Sequence, residues 1–163
     1  QAASAKSVDI EVSNTNLTPE VVEGGNSTRF SFDFTVPNGT KKDDTTTISL
    51  PKELDFQRYQ EFEVYAPDGQ AVAKAVIEPK IKTLTMTYTD YVEKHSDIKG
   101  HLEMNVVVDR KVVTTANTVA AEITINNKTK ITIVLVSLTI PVLRVIAIRL
   151  TFGNTELALT TTK

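Results

Sequence analysis

In the segment Arg29 to Val36, Phe30, Phe32, Phe34 and Val36 share one parity, and Ser31, Asp33 and Thr35 share the other. Strand side chains alternate between two faces, so this spacing predicts a strand whose aromatic face is core. The same period appears in Val8-Asp9-Ile10-Glu11-Val12, and in Lys82 to Tyr88, where Leu84, Met86 and Tyr88 alternate with threonines. It returns in Leu102 to Val108, with Leu102, Met104, Val106 and Val108 on the apolar side. Thr45 to Leu50 reads as a strand that points Ile48 and Leu50 inward and is stopped by Pro51, since proline cannot donate to a ladder. Phe62 to Tyr65 and Ala71 to Glu78 read as a hairpin about Ala66-Pro67-Asp68-Gly69, where proline presets φ and glycine tolerates positive φ.

Between these runs lie turn-rich segments. Ser13 to Asn16 predicts a loop, and Leu17 to Val22 a short edge segment that leads into Glu23-Gly24-Gly25-Asn26. Pro37 to Asp44 predicts an exposed loop, Asn126-Asn127-Lys128 a turn, and Asp90 to Gly100 the one stretch of local helical or turn character. Further strands are expected at Thr118 to Ile125, Lys130 to Ile140 and Val142 to Phe152. About nine to eleven mostly antiparallel strands in an all-β chain point to an elaborated immunoglobulin-like β-sandwich.

Composition narrows this further. The 163 residues suffice for one core, and residues 1–163 read as a single domain. A formal net charge of −2 gives no electrostatic reason to expect nucleic acid. Cysteine is absent, which fits a reduced cytosol and equally a secreted protein stabilised without disulfides. Gln1-Ala2-Ala3-Ser4-Ala5 has small residues without a basic or apolar region before them, and reads as a mature or trimmed start. The most apolar run, Ile131 to Leu150, contains Pro141, Arg144 and Arg149 and is dominated by β-branched residues, so buried strands are expected there and no membrane insertion.

Candidate chemistry is sparse. His95 and His101, with Asp97 and Glu103, have a nonspecific spacing that reads as a solvated loop and not as a metal site. Ser96, His95 and Asp97 are adjacent on one loop, where nucleophile, base and orienting acid rarely converge. Asp43-Asp44, Lys52-Glu53 and Glu93-Lys94 read as charged decoration of loops and edges, which discourages sheet-to-sheet aggregation. The Asn-x-Ser/Thr sequences at Asn16, Asn26, Asn38 and Asn127 would suggest N-glycans in a eukaryotic secreted protein, and their loop positions favour the reading as turn residues. No cofactor, metal or enzymatic activity is expected.

The segment Met86-Thr87-Tyr88-Thr89-Asp90-Tyr91-Val92-Glu93-Lys94-His95-Ser96-Asp97-Ile98-Lys99-Gly100 resembles the TYTFTDYVD-type signature, and the K-x-D-V-x-G-like stretch after it, of Gram-positive wall-anchored adhesins. The matching core is Thr-Tyr-Thr-Asp-Tyr-Val, shortened because one Thr alone separates Tyr88 from Asp90. The resemblance is closest to the first subdomain of collagen adhesins and covers about residues 8–130, with residues 131–163 as C-terminal strands. It implies an extracellular subdomain, anchored to the cell wall through regions outside this chain. It further implies noncovalent binding of a host matrix or plasma protein, collagen or fibrinogen, with help from an adjacent subdomain. A structural stalk or pilin-like spacer is the alternative. In such adhesins the signature lies near a groove that accepts a latching strand from the neighbouring subdomain, which makes Tyr88, Asp90 and Tyr91 the candidate groove residues. Tyr88 continues the register of Leu84 and Met86 and is expected in the core, and Tyr91 is expected to be partly exposed. Some members also carry an internal Lys to Asn or Asp amide bond.

Overall fold

The computed structural model describes residues 4–19, 21–23, 26–109, 111–112, 117–138, 144–150 and 157–162. Among them the strands are β1 (Glu11–Thr18), β2 (Val21–Glu23), β3 (Ser27–Val36), β4 (Thr45–Ser49), β5 (Leu54–Asp55), β6 (Gln60–Tyr65) and β7 (Ala71–Glu78). They continue with β8 (Thr83–Tyr88), β9 (Ile98–Val108), β10 (Asn117–Ile125), β11 (Thr129–Leu138), β12 (Arg144–Leu150) and β13 (Leu157–Thr162). One helical turn, α1 (Tyr91–Lys94), precedes β9.

A four-stranded sheet, β1-β3-β9-β5, faces a seven-stranded sheet, β2-β11-β10-β4-β8-β7-β6, while β12 and β13 pair with each other as a separate hairpin. The two facing sheets hold eleven strands and the hairpin two more, so the described residues carry thirteen where about nine to eleven were expected, and every ladder in the facing sheets is antiparallel except β2 with β11. The fold is an immunoglobulin-like sandwich. Its core is the set of residues that the period of two put on one face. Phe30, Phe32, Phe34, Ile48, Leu84, Met86, Tyr88, Leu102, Met104, Val106 and Val108 are all buried. The three phenylalanines of β3 form a row, with centroids 5.6 Å apart from Phe30 to Phe32 and 6.4 Å from Phe32 to Phe34. Such tilted and edge-on contacts suit the aromatic quadrupole.

Several boundaries differ from the sequence-based expectation, each for a local reason. Val8 to Val12 does not form a strand of its own. β1 starts at Glu11, although Ile10 is buried and Ser7 bridges Thr45. Ser13 to Asn16 is a β-bulge inside β1 and not a loop, because Asn14 takes φ 52° and still pairs its neighbours with β3. Asn tolerates that conformation and lets the ladder resume one step later. Asn16 therefore lies in a strand, whereas Asn38 and Asn127 lie in turns as expected. Asp44 is not surface decoration. It is buried, and its carboxylate accepts the backbone N–H groups of Lys41 (2.8 Å) and Lys6 (2.9 Å), which lowers its pKa. β9 begins at Ile98, four residues before Leu102, and runs through Gly100.

Of the apolar C-terminal run, Thr129–Leu138 and Arg144–Leu150 are strands, and β13 follows within the C-terminal stretch where strands were expected. The start Gln1 to Ala3, the Gly24-Gly25 turn, Pro141 and the ends of the expected strands at residues 139–140, 142–143 and 151–152 lie outside the described residues. No helix among the described residues is long and apolar enough to cross a membrane.

Candidate strand-accepting cleft

The chain leaves one sheet for the other at residues 56–59, between β5 and β6, and that crossing shapes the site. β5 pairs with β9 at two positions alone, Leu54 with Val108 and Asp55 with Val107, before the chain departs to form β6 at the edge of the opposite sheet. Nine of the eleven residues of β9, Ile98 to Val106, thus have β3 paired on one side and, among the described residues, no strand hydrogen-bonded on the other. In an antiparallel ladder every second residue turns its N–H and C=O away from its partner, so this side of β9 carries a row of unpaired donors and acceptors.

Two openings flank the row. One, of about 540 Å³, lies between Gln60 to Tyr65 of β6 and Arg29, His101, Glu103, Met104 and Asn105. The other, of about 510 Å³, lies between Tyr65, Ala66 and Pro67 and the outer ends of β1, β3 and β9, and shares His101 with the first. The inward wall is apolar, supplied by the buried Val64 and Met104 and the partly buried Phe62. The outward wall is polar, because Glu61, Glu63, Lys99, His101, Glu103 and Asn105 occupy the exposed parity of β6 and β9.

Gly100 sits at the head of the row because Phe34 leaves it no alternative. The two residues are cross-strand partners, and a Cβ at position 100 would lie 2.4 Å from the ring Cζ of Phe34. The glycine gives the ring its place in the core, an arrangement that recurs where an aromatic lies across from a strand glycine.

Outside, His101 bridges two strands. Its Nδ1 donates to Asp33 Oδ1 of β3 at 2.8 Å and its Nε2 to Glu103 Oε1 of β9 at 3.2 Å, while Asn14 of β1 donates to the other Asp33 oxygen at 2.8 Å. A neutral imidazole has one N–H, so contacts from both nitrogens to carboxylates correspond to the imidazolium form. The Asp33 hydrogen bond, seconded by Glu103, raises the His101 pKa above its usual value. Asn14 first and then His101 hold Asp33 low. This corrects the solvated-loop expectation for His101 and Glu103, which lie on a strand. It does not make a metal site, since the two carboxylates meet opposite nitrogens of the ring, and no group of three or more potential ligands converges among the described residues.

The residues singled out from the signature lie beside this cleft and not on its row. Tyr88 is 1% exposed, at the end of a strand paired on both sides by β4 and β7. Its hydroxyl donates to Thr46 Oγ1 at 2.7 Å, since Thr46 spends its own proton on Val8 O. Asp90 forms an exposed ion pair with Lys94 at 3.1 Å. Tyr91, partly buried, donates its hydroxyl to Asp68 Oδ2 at 2.9 Å and stacks on His95 with ring centroids 3.8 Å apart. Through Asp68 it ties α1 to the turn that holds Ala66 and Pro67 against the second opening. Tyr91 is the member of the trio connected to the cleft. Phe62, Val64, His101, Glu103 and Met104 carry no signature that marks them as site residues, because what makes them a site is a missing neighbour.

Against this geometry, a family model described as a bacterial Ig domain matches residues 21–119. Serine-aspartate repeat-containing protein E of Staphylococcus aureus (strain MSSA476) is 33% identical over 94 residues, which is 55% of this chain and 8% of that protein. Bone sialoprotein-binding protein of Staphylococcus aureus (strain MRSA252) is 28% identical over 89 residues, 52% of this chain and 8% of that protein. The match thus spans 8% of the length of these relatives. The crystal structure of the collagen adhesin of S. aureus superposes with a TM-score of 0.61 at 22% identity, covering 86% of this chain and 47% of that one. The resemblance to Gram-positive adhesins drawn from residues 86–100 is borne out.

Proposed function

The chain belongs to the bacterial Ig-domain family, and on that footing we propose that it is the ligand-binding subdomain of a bacterial surface adhesin, acting by noncovalent binding and not by catalysis. The observation that carries the reading is the open row beside β9, backed by Phe62 and Val64. A sheet edge of this kind gains main-chain hydrogen bonds and side-chain pockets when an extended segment adds to it. The segment comes from an adjacent subdomain of the same protein, which closes over a host matrix or plasma protein and holds it between the two units. Collagen is the first ligand to test, because the fold is shared with a collagen adhesin, and fibrinogen is the second. The chain works outside the cell, anchored through regions beyond it, and residues 1–163 act as one subdomain. Of the candidate groove residues Tyr88, Asp90 and Tyr91, Tyr91 takes part by fixing the turn at the rim of the cleft through Asp68.

The test is surface-immobilised binding of the chain, alone and joined to its native neighbour, to collagen, fibrinogen, fibronectin and albumin. Saturable binding to one matrix or plasma protein that requires the neighbour supports the reading. No binding by either form overturns it and leaves a spacer module of a surface protein.

A further inference from the structure

The walls of the open row differ in a way that restricts what can lie there. A strand added to β9 presents alternate residues to the inside and the outside, in step with β9 itself. Its inward residues meet Phe62, Val64 and Met104, and must be apolar. Its outward residues enter a rim where Glu61 and Glu63 of β6 stand across from Glu103 of β9. Among the described residues Arg29 and the His101 imidazolium are the cations lining that opening, and both are turned to other carboxylates than those of β6: Arg29 Nε lies 3.9 Å from Glu103 Oε2, and His101 is held by Asp33 and Glu103. Two tyrosines set the β6 carboxylates in place: Tyr59 donates to Glu61 at 3.0 Å and Tyr65 to Glu63 at 2.8 Å. Both tyrosines are more than half exposed, at 58% and 53%, so each can meet a cation beside the carboxylate it holds.

From the strand-accepting reading, on which this rests, and from the two walls together, we infer that the row beside β9 selects an extended segment in which apolar residues alternate with lysine or arginine. The apolar parity seals the sandwich and the cationic parity meets Glu61, Glu63 and the exposed tyrosine rings. An acidic outward parity sets like charge across from the β6 carboxylates, and an uncharged one forgoes the added pairing, which costs affinity.

The experiment uses the full chain and three labelled octapeptides that alternate valine with lysine, with glutamine or with glutamate. Fluorescence anisotropy gives affinity, and hydrogen exchange of the β9 amides gives location. The lysine peptide is expected to bind about tenfold tighter than the glutamine peptide at low salt, with the glutamate peptide weakest, and to protect amides between Ile98 and Val106. The variant E61K/E63K is expected to reverse the order of the lysine and glutamate peptides. Equal protection of β9 by the lysine and glutamine peptides, unchanged in that variant, overturns the charge selection and leaves strand addition standing. If no octapeptide protects the β9 amides, both fall.

Discussion

Replacing Gly100 by alanine puts a methyl group where the ring of Phe34 lies. The added carbon would stand 2.4, 2.8 and 3.0 Å from Cζ, Cε1 and Cε2 of that ring, against about 3.5–4.0 Å for carbons in ordinary contact. The ring must therefore retreat by about 1 Å, the gap between those figures. It has little room to do so, since Phe34 is 1% exposed and its ring meets that of Phe32, which in turn meets Phe30. Overpacking of a filled core costs about 1–3 kcal/mol. Against it stands the reduced freedom of the unfolded chain, worth about 0.4–1 kcal/mol in favour of alanine where the native backbone accepts it. The packing cost wins, and the net loss is about 1–2 kcal/mol, or about 3–6 °C in melting temperature for a domain of this size. Urea unfolding followed by circular dichroism measures it. Trimming the ring in the double variant G100A/F34L should recover part of the loss, so that the double variant costs less than the two single changes added together. A G100A protein as stable as the parent, or strictly additive with F34L, would refute the claim that the glycine exists to seat the ring.

The other expectations concern groups with defined partners. Burial pushes the Tyr88 phenol up to about 12, so its contribution to stability is complete below pH 10 and is lost as pH rises from there toward 12; Y88F should weaken that alkaline loss in thermal melts and cost about 1 kcal/mol at neutral pH through the missing bond to Thr46. Because His101 has a raised pKa, its ion pairs stabilise fully below pH 6.5 and fade as pH climbs through the shifted value, so H101Q should flatten the pH dependence of the melting temperature in that window. Asp44, held low by the Lys41 and Lys6 amides, contributes above its ordinary carboxylate range and loses that contribution on acidification, and D44N should lower stability at pH 7 by about 1–3 kcal/mol, read by urea unfolding, because one amide N–H then faces a donor.

Alternation along one strand is local information, which is why the inward residues of β3, β4, β8 and β9 are legible in the amino-acid sequence. Tyr88 in the core follows from the same register, and Tyr91 at the margin from its place in the turn after the strand. Where local rules conflict with a distant partner, the partner wins. Gly100 reads as the end of a turn-rich stretch, yet it lies inside β9 because the Phe34 ring fills the space a side chain would need. Asn14 reads as a turn, yet it lies in a bulge whose side chain reaches Asp33. The cleft itself is beyond reach for a different reason. It depends on β5 stopping after two residues and on β6 joining the other sheet, a matter of which segments fail to pair, and no residue pattern records an absent neighbour.

The pairing of β2 with β11 has a mechanical meaning. Val21 to Glu23 run parallel to Val136 to Leu138, the one parallel ladder among the described strands of the sandwich. Tension that enters β2 from its N-terminal side and leaves β11 from its C-terminal side pulls the two strands past each other along their length. Their hydrogen bonds then bear load together, as rivets in a lap joint do, where a hairpin pulled at its open end would release them one at a time. Forced unfolding is set by the barrier to opening and not by equilibrium stability. A sandwich loaded through those two ends must therefore break three residue pairs at once.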